Sequence, residues 1–160
     1  MDLPRRLLFG RLGAVAAALM CLALAGSPAS AQNVPIPDLQ EILIKTILMT
    51  FNDANLTGNY EVLHTRLSKP FREKFSAQQL SDGFKAFRDQ KVNLGAIVVK
   101  QPVPTEPATV ERGVLKLYGY FDTSPSRVYY FLEFILSDEG DGGWRSTRIE
   151  VHVKPVKNPG

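Results

Sequence analysis

Between positions 36 and 87 the apolar residues recur every three or four places, and beyond position 92 they alternate with polar ones. The chain is therefore predicted to begin helical and to finish as sheet. Ile36, Leu39, Leu43, Ile47 and Phe51 mark the first helix, over 38–55. Ile42, Leu48 and Met49 widen its stripe, so it is expected to be buried along more than one side. Pro37 blocks an earlier start, and Asp38 is expected to cap the helix with Glu41 completing a capping box. Thr57-Gly58-Asn59 breaks it. Tyr60, Leu63, His64 and Leu67 then give a short second helix ending before Lys69-Pro70, and Ser76 heads a third segment marked by Leu80, Phe84 and Phe87.

A first strand is predicted over 94–99 and a proline-rich connection over 101–107. Three longer strands follow over 110–122, 127–137 and 144–153, joined by Ser124-Pro125-Ser126 and by the run from Asp138 to Gly143. Helices followed by a meander of strands define an α+β domain, with the helices on one face of an antiparallel sheet.

Alternation sorts the strand residues into two sets. Leu115, Leu117, Gly119, Phe121, Val128, Tyr130, Leu132, Phe134, Leu136, Ile149, Val151 and Val153 form an almost wholly apolar set, expected to face the helices. Lys116, Tyr118, Tyr120, Asp122, Arg127, Tyr129, Phe131, Glu133, Ile135, Trp144, Ser146, Arg148, Glu150 and His152 form the opposite set, which mixes charge with aromatic rings.

Phe51-Asn52-Asp53-Ala54 and Gly58-Asn59-Tyr60 between the first helices, Leu67-Ser68-Lys69-Pro70-Phe71-Arg72 after the second, and a last strand opening at Trp144 carry a family signal. On these residues and the element order, positions 38–155 resemble the nuclear transport factor two-like superfamily, which includes ketosteroid isomerases. The resemblance implies a cystatin-like cone: N-terminal helices packed in the concave face of a curved antiparallel sheet, a pocket at the open end, and frequent homodimers. That scaffold serves enzymes, binders and assembly modules alike, so it does not by itself assign an activity.

Composition changes this picture mainly at the N-terminus. Arg5, Arg6 and Arg11, an apolar run over 12–25, and Gly26-Ser27-Pro28-Ala29-Ser30-Ala31 form the pattern of a secretory signal, cleaved after Ala31. Residues 32–160 are then the working protein, periplasmic or secreted. The run is too short to span a bilayer and no later one matches it, so no membrane span is expected in the mature form. Cys21 follows Met20 inside the run, which does not suit lipidation. Arg5-Arg6 also resembles a twin-arginine export motif, although an ordinary basic leader is the preferred reading. The signal takes with it three of 19 basic and one of 16 acidic residues, leaving 16 and 15, so the overall basic balance gives no argument for nucleic acid. The mature part has no cysteine and relies on core burial rather than disulfides.

The chemistry-bearing candidates are few. The inner set is expected to line a pocket for a small apolar ligand, with Tyr130 among its few polar groups, Phe134 on its wall and Gly119 leaving room or marking a bend. His64, on the inward stripe of the second helix, is the one weak catalytic candidate, as base with Tyr130 as hydrogen-bond donor; a structural histidine is the commoner outcome. Asp53 is expected to cap or link helices. No residue matches the acid and tyrosine of the ketosteroid isomerases. Tyr118, Tyr120, Tyr129, Phe131 and Trp144 on the mixed face suggest a homodimer or partner interface. The alternative is a solvated face of charge pairs among Lys116, Glu133, Arg148 and Glu150.

Residues 138–143 lack the ligand spacing of a calcium loop, and His64 with His152 is too sparse for zinc. No phosphate loop, dinucleotide fingerprint or nucleophile elbow occurs, so no cofactor or metal is expected. Asn55-Leu56-Thr57 is a glycosylation sequon, relevant only in a eukaryotic secretory pathway.

Overall fold

The computed structural model describes residues 33–156. The expected export signal and its cleavage site lie outside the described residues. Helix α1 spans Pro37–Thr57 and is followed by α2 (Glu61–Arg66), α3 (Lys69–Lys74), α4 (Ala77–Gly83) and α5 (Lys85–Asp89). Pro37 occupies the first helical position, which places Ile36 at the N-cap with extended backbone and no side-chain cap. The expected capping box of Asp38 and Glu41 is not made. Asp38 lies inside the first turn instead, where a negative charge meets the positive end of the helix. Gly58 ends α1 in the left-handed conformation (φ 74°), its N–H returning to Ala54 O at 2.9 Å.

Helix α1 buries a wide stripe, with Leu48 inside the core and Leu43 and Met49 packed against it on the two flanks. Ile44, Ile47, Leu48, Phe51 and Ala54 enter the core, whereas Ile42 is 59% exposed and Ile36 also faces out. Pro70, expected only to stop α2, sits in the first turn of α3. At α4 the predicted cap is present: Ser76 Oγ accepts from Gln79 N–H at 3.2 Å, and Gln79 Oε1 accepts from Ser76 N–H at 2.8 Å. A buried polar network ties α1 to the following helices. Asn55 donates to Phe51 O and accepts from the Tyr60 hydroxyl, each at 2.7 Å, and Arg88 reaches the same hydroxyl at 3.4 Å and Ser81 Oγ at 3.1 Å.

The strand expected over 94–99 is a 3₁₀ helix, Gly95–Val99. Two side chains take the amides that would have started a ladder: Asn52 Oδ1 accepts from Leu94 N–H at 2.7 Å, and Asn93 Oδ1 from Gly95 N–H at 2.8 Å. Leu94 and Ile97, one 3₁₀ turn apart, are fully buried, and Val98 and Val99 are exposed.

The sheet comprises β1 (Pro102–Pro104), β2 (Thr109–Glu111), β3 (Val114–Phe121), β4 (Ser126–Leu136) and β5 (Trp144–Pro155). It is an open, curved, antiparallel sheet in the order β1-β3-β4-β5, with β2 also on β3. The strand expected over 110–122 is divided by a hairpin turn in which Arg112 and Gly113 both take positive φ (51° and 80°). Consequently β1 and β2 occupy successive stretches of one edge of β3, Pro104 opposite Gly119 and Thr109 opposite Lys116. Thr105 N–H still reaches Tyr118 O at 3.1 Å, and the chain then leaves the ladder until Thr109. Prolines at this outer edge give up no ladder bond that an inner strand would need.

β4 and β5 pair along their length except at a bulge. Glu133 faces Arg148 but Phe134 faces Ser146, leaving Thr147 over as the extra residue. The bulge reverses the face of everything before it in β5. Ser146 and Trp144, expected on the mixed face, share the side of their partners Phe134 and Leu136. Ser146 is fully buried there, and its carbonyl accepts from Ser68 N–H at 2.8 Å. The core lies between α1 and the inner face, where Leu115, Leu117, Phe121, Val128, Leu132 and Phe134 pack with the helices.

Candidate functional site

The interrupted edge of β3 opens a cavity against the start of α1. About 350 Å³ of space lies between the start of α1, which supplies Asp38, Gln40, Glu41 and Ile44, and the segment from Gln101 through Pro102, Pro104 and Glu106 to Ala108. Leu117 and Tyr130 form its floor. Residues 106–108 leave the ladder, and a gap remains where a continuous edge strand would have run.

Tyr130 and Gly119 face each other across β4 and β3. A methyl group on Gly119 would fall within 2.5 Å of Val103 O and 2.8 Å of Tyr130 Cζ, so the glycine is required both by the neighbouring strand's carbonyl and by the ring lying over it. The phenol thus reaches over β3 toward β1, on the cavity side. Tyr130 is only 4% exposed, yet its hydroxyl makes none of the hydrogen bonds found among the described residues. Burial alone pushes its pKa far above the ordinary tyrosine value. A neutral, unpaired hydroxyl therefore faces the cavity.

The rim is acidic. Glu41 is already engaged, pairing with Lys45 Nζ at 2.7 Å, and the Gln101 amide, oriented to donate, reaches its two oxygens at 2.7 and 3.2 Å. Asp38 and Glu106 enter none of the ion pairs among the described residues. The lining contains no lysine, arginine or histidine. The carboxylates stand around the mouth without converging: no group of three His, Cys, Asp or Glu among the described residues is placed to hold a metal ion.

A second, more apolar groove of about 370 Å³ runs beside α1 and is lined by Leu39, Ile42, Leu43, Ile47, Phe134 and Trp144, among others. Phe134, expected beside Tyr130, belongs here, as does Trp144. The bulge at Thr147 therefore separates Trp144 from the other four residues expected at an interface. His64 lines none of the described cavities; its Nε2 lies 2.8 Å from Phe75 O and must donate there, tying α2 to the start of α4. His64 and Tyr130 are thus not brought together. Asp53 is exposed, and its carbonyl, not its carboxylate, accepts from Thr57 Oγ1 at 2.7 Å. Asn55 of the sequon is buried and hydrogen-bonded at both ends of its amide, which closes it to a glycan in the folded chain.

The outer face carries an ordered aromatic arrangement. Tyr118 and Phe131 stack at 4.2 Å with planes 6° apart, and Tyr120 lies 5.5 Å from Tyr129. Cations cap the rings: Arg148 lies over Phe131 at 4.4 Å, Arg127 over Tyr120 at 5.0 Å and Lys154 over Tyr129 at 5.1 Å. Glu133 stands opposite both Lys116 and Arg148, but those cations take Glu111 (2.7 Å) and Glu150 (2.9 Å from Arg148 Nε) as partners. Their hydrogen bonds to these carboxylates raise the pKa of Lys116 and Arg148, and the bond from Lys116 lowers that of Glu111.

No helix among the described residues is long and apolar enough to cross a membrane. No family model matches the chain, and neither the curated proteins nor the solved structures compared with it contain a match. Glu106, Pro102 and Pro104 were not among the residues singled out from sequence, and Asp38 was read there only as a helix cap. The closely spaced prolines at 102, 104 and 107 around Glu106 were the available sign that the segment would interrupt an edge.

Proposed function

We propose that this chain is an exported, non-enzymatic binding domain of the nuclear transport factor two-like, cone-shaped type, holding a small molecule with an apolar body in the cavity between α1 and the broken edge of β3. The observation that carries this reading is Tyr130, a side chain 4% exposed whose hydroxyl opens on the cavity and makes none of the hydrogen bonds among the described residues. An apolar pocket with a free hydroxyl at its floor is the arrangement that orients a small ligand by a single hydrogen bond. The helix-then-sheet order and the apolar inner face support the family assignment, and the signal-like N-terminus supports export with cleavage after Ala31. An isomerase, cyclase or hydratase using His64 as base draws no support from a histidine engaged with Phe75 O.

Native mass spectrometry of the mature protein from its own source tests this. A retained mass that leaves on denaturation is expected, and Ala108→Trp, which fills the cavity from a half-buried wall position, abolishes it. A folded protein with no retained mass, or the same mass kept by Ala108→Trp, sinks the reading.

A second reading rests on the outer face. The Tyr118–Phe131 stack is only half-buried in the single chain and carries both signs of charge around it, which suits pairing with a second copy. Tyr120→Glu or Phe131→Glu then turns a dimer into a folded monomer in sedimentation; an unaltered oligomer counts against it.

A further inference from the structure

The geometry points to an organic cation as the occupant of the β3-edge cavity: an amine or ammonium head on an apolar body, with the head at the rim formed by Asp38 and Glu106 and the body on Ile44, Leu117 and the Tyr130 ring. This inference rests on the small-molecule reading above and specifies the chemistry of the ligand. The charge balance of the lining carries it. Three carboxylates line the cavity with no basic side chain among the lining residues, and Lys45, one turn along α1 from Glu41, is taken by Glu41 and by Val98 O at 3.1 Å. The positive end of α1, worth about half a charge, offsets Asp38 in part, and Glu106 stands on the opposite wall of the cavity from that helix end. Two carboxylates without ion-pair partners therefore face the same opening.

The second observation is independent of that cluster. The Tyr130 side chain is 4% exposed, and its hydroxyl, unpartnered among the described residues, lies over Gly119 on the cavity side of β3. An anionic ligand placed over that hydroxyl would meet carboxylates at the rim. A cationic ligand meets carboxylates at the rim and an aromatic floor, two environments that both favour it. The carboxylates do not converge as metal ligands do, so the charge is matched by a spread-out organic cation rather than a bare ion.

Three probes of one body and different heads decide the matter: 4-phenylbutylamine, 4-phenylbutanol and 4-phenylbutyrate, titrated calorimetrically into the full mature chain at low salt. The amine is expected to bind at least tenfold more tightly than the carboxylate, with the alcohol between them. In Asp38→Asn/Glu106→Gln, two exposed positions whose exchange leaves the core untouched, the amine is expected to fall to the level of the alcohol while the alcohol is unchanged. Equal binding of all three, or an amine preference that survives in the double variant, overturns the charge selection and leaves the small-molecule reading standing. Binding of none of the three, by a chain whose unfolding transition is intact, removes both.

Discussion

The two faces of the sheet are built from the same strands, with the same alternation, yet they are stabilised by different means. On the inner face Leu115, Leu117, Leu132 and Phe134 are buried against α1, where each apolar side chain is excluded from water on all sides. On the outer face Tyr118, Tyr120, Tyr129 and Phe131 find partners only within the sheet, ring upon ring and cation upon ring, and remain half-buried. Stability is therefore concentrated on the inner face, and the outer face keeps surface available for a second molecule.

Four experiments break or sharpen this contrast. The largest effect is expected on the inner face: Leu132→Ala removes a fully buried side chain and should lower unfolding free energy by about 3 kcal/mol in urea titration. Gly119→Ala should cost about 2 kcal/mol by driving a methyl group against Val103 O and the Tyr130 ring, a case of overpacking. Combined with Tyr130→Ala it should cost clearly less than the two single losses added, because the ring that clashes is gone; strict additivity would show that the glycine serves some other purpose. On the outer face Phe131→Ala loses a stack and a cation–π contact but little burial, and a drop of about 1 kcal/mol is expected for the monomer. A loss as large as that of Leu132→Ala would erase the distinction between the faces.

The smallest effect is in pH. Tyr130 stays neutral in the folded chain above the ordinary tyrosine pKa of about 10, whereas the unfolded chain gives up that proton. Its contribution is present in full well below pH 10 and is lost as pH rises through and beyond that value, by about 0.7 kcal/mol between pH 9.5 and 10.5. Tyr130→Phe should show a correspondingly shallower decline, and parallel curves for the two proteins would place the phenol in a wetter setting than its burial indicates.

Much of the scaffold was legible in the chain. The three- and four-residue spacing from Ile36 to Phe51, the Thr57-Gly58-Asn59 break, the Ser76 cap and the two-residue alternation of β3 and β4 are local properties, and the local structure follows them. The departures occur where a distant group captured a backbone position. Asn52 claims the amide of Leu94 and turns an apolar run that reads as a strand into a 3₁₀ helix. His64 bonds a carbonyl eleven residues away, which no inward stripe on a short helix reveals.

Composition and periodicity by themselves determined the α+β class and the division of the sheet into an apolar and a mixed face, because each depends on residues close together in sequence. The tertiary structure alone decided that Thr147 would be left over as a bulge, carrying Ser146 and Trp144 to the inner side, and that β1 and β2 would share one edge with a gap between them. Register is a relation between strands, and a single extra residue reverses it without altering the pattern of either strand read alone. The cavity lies where pairing along that shared edge lapses.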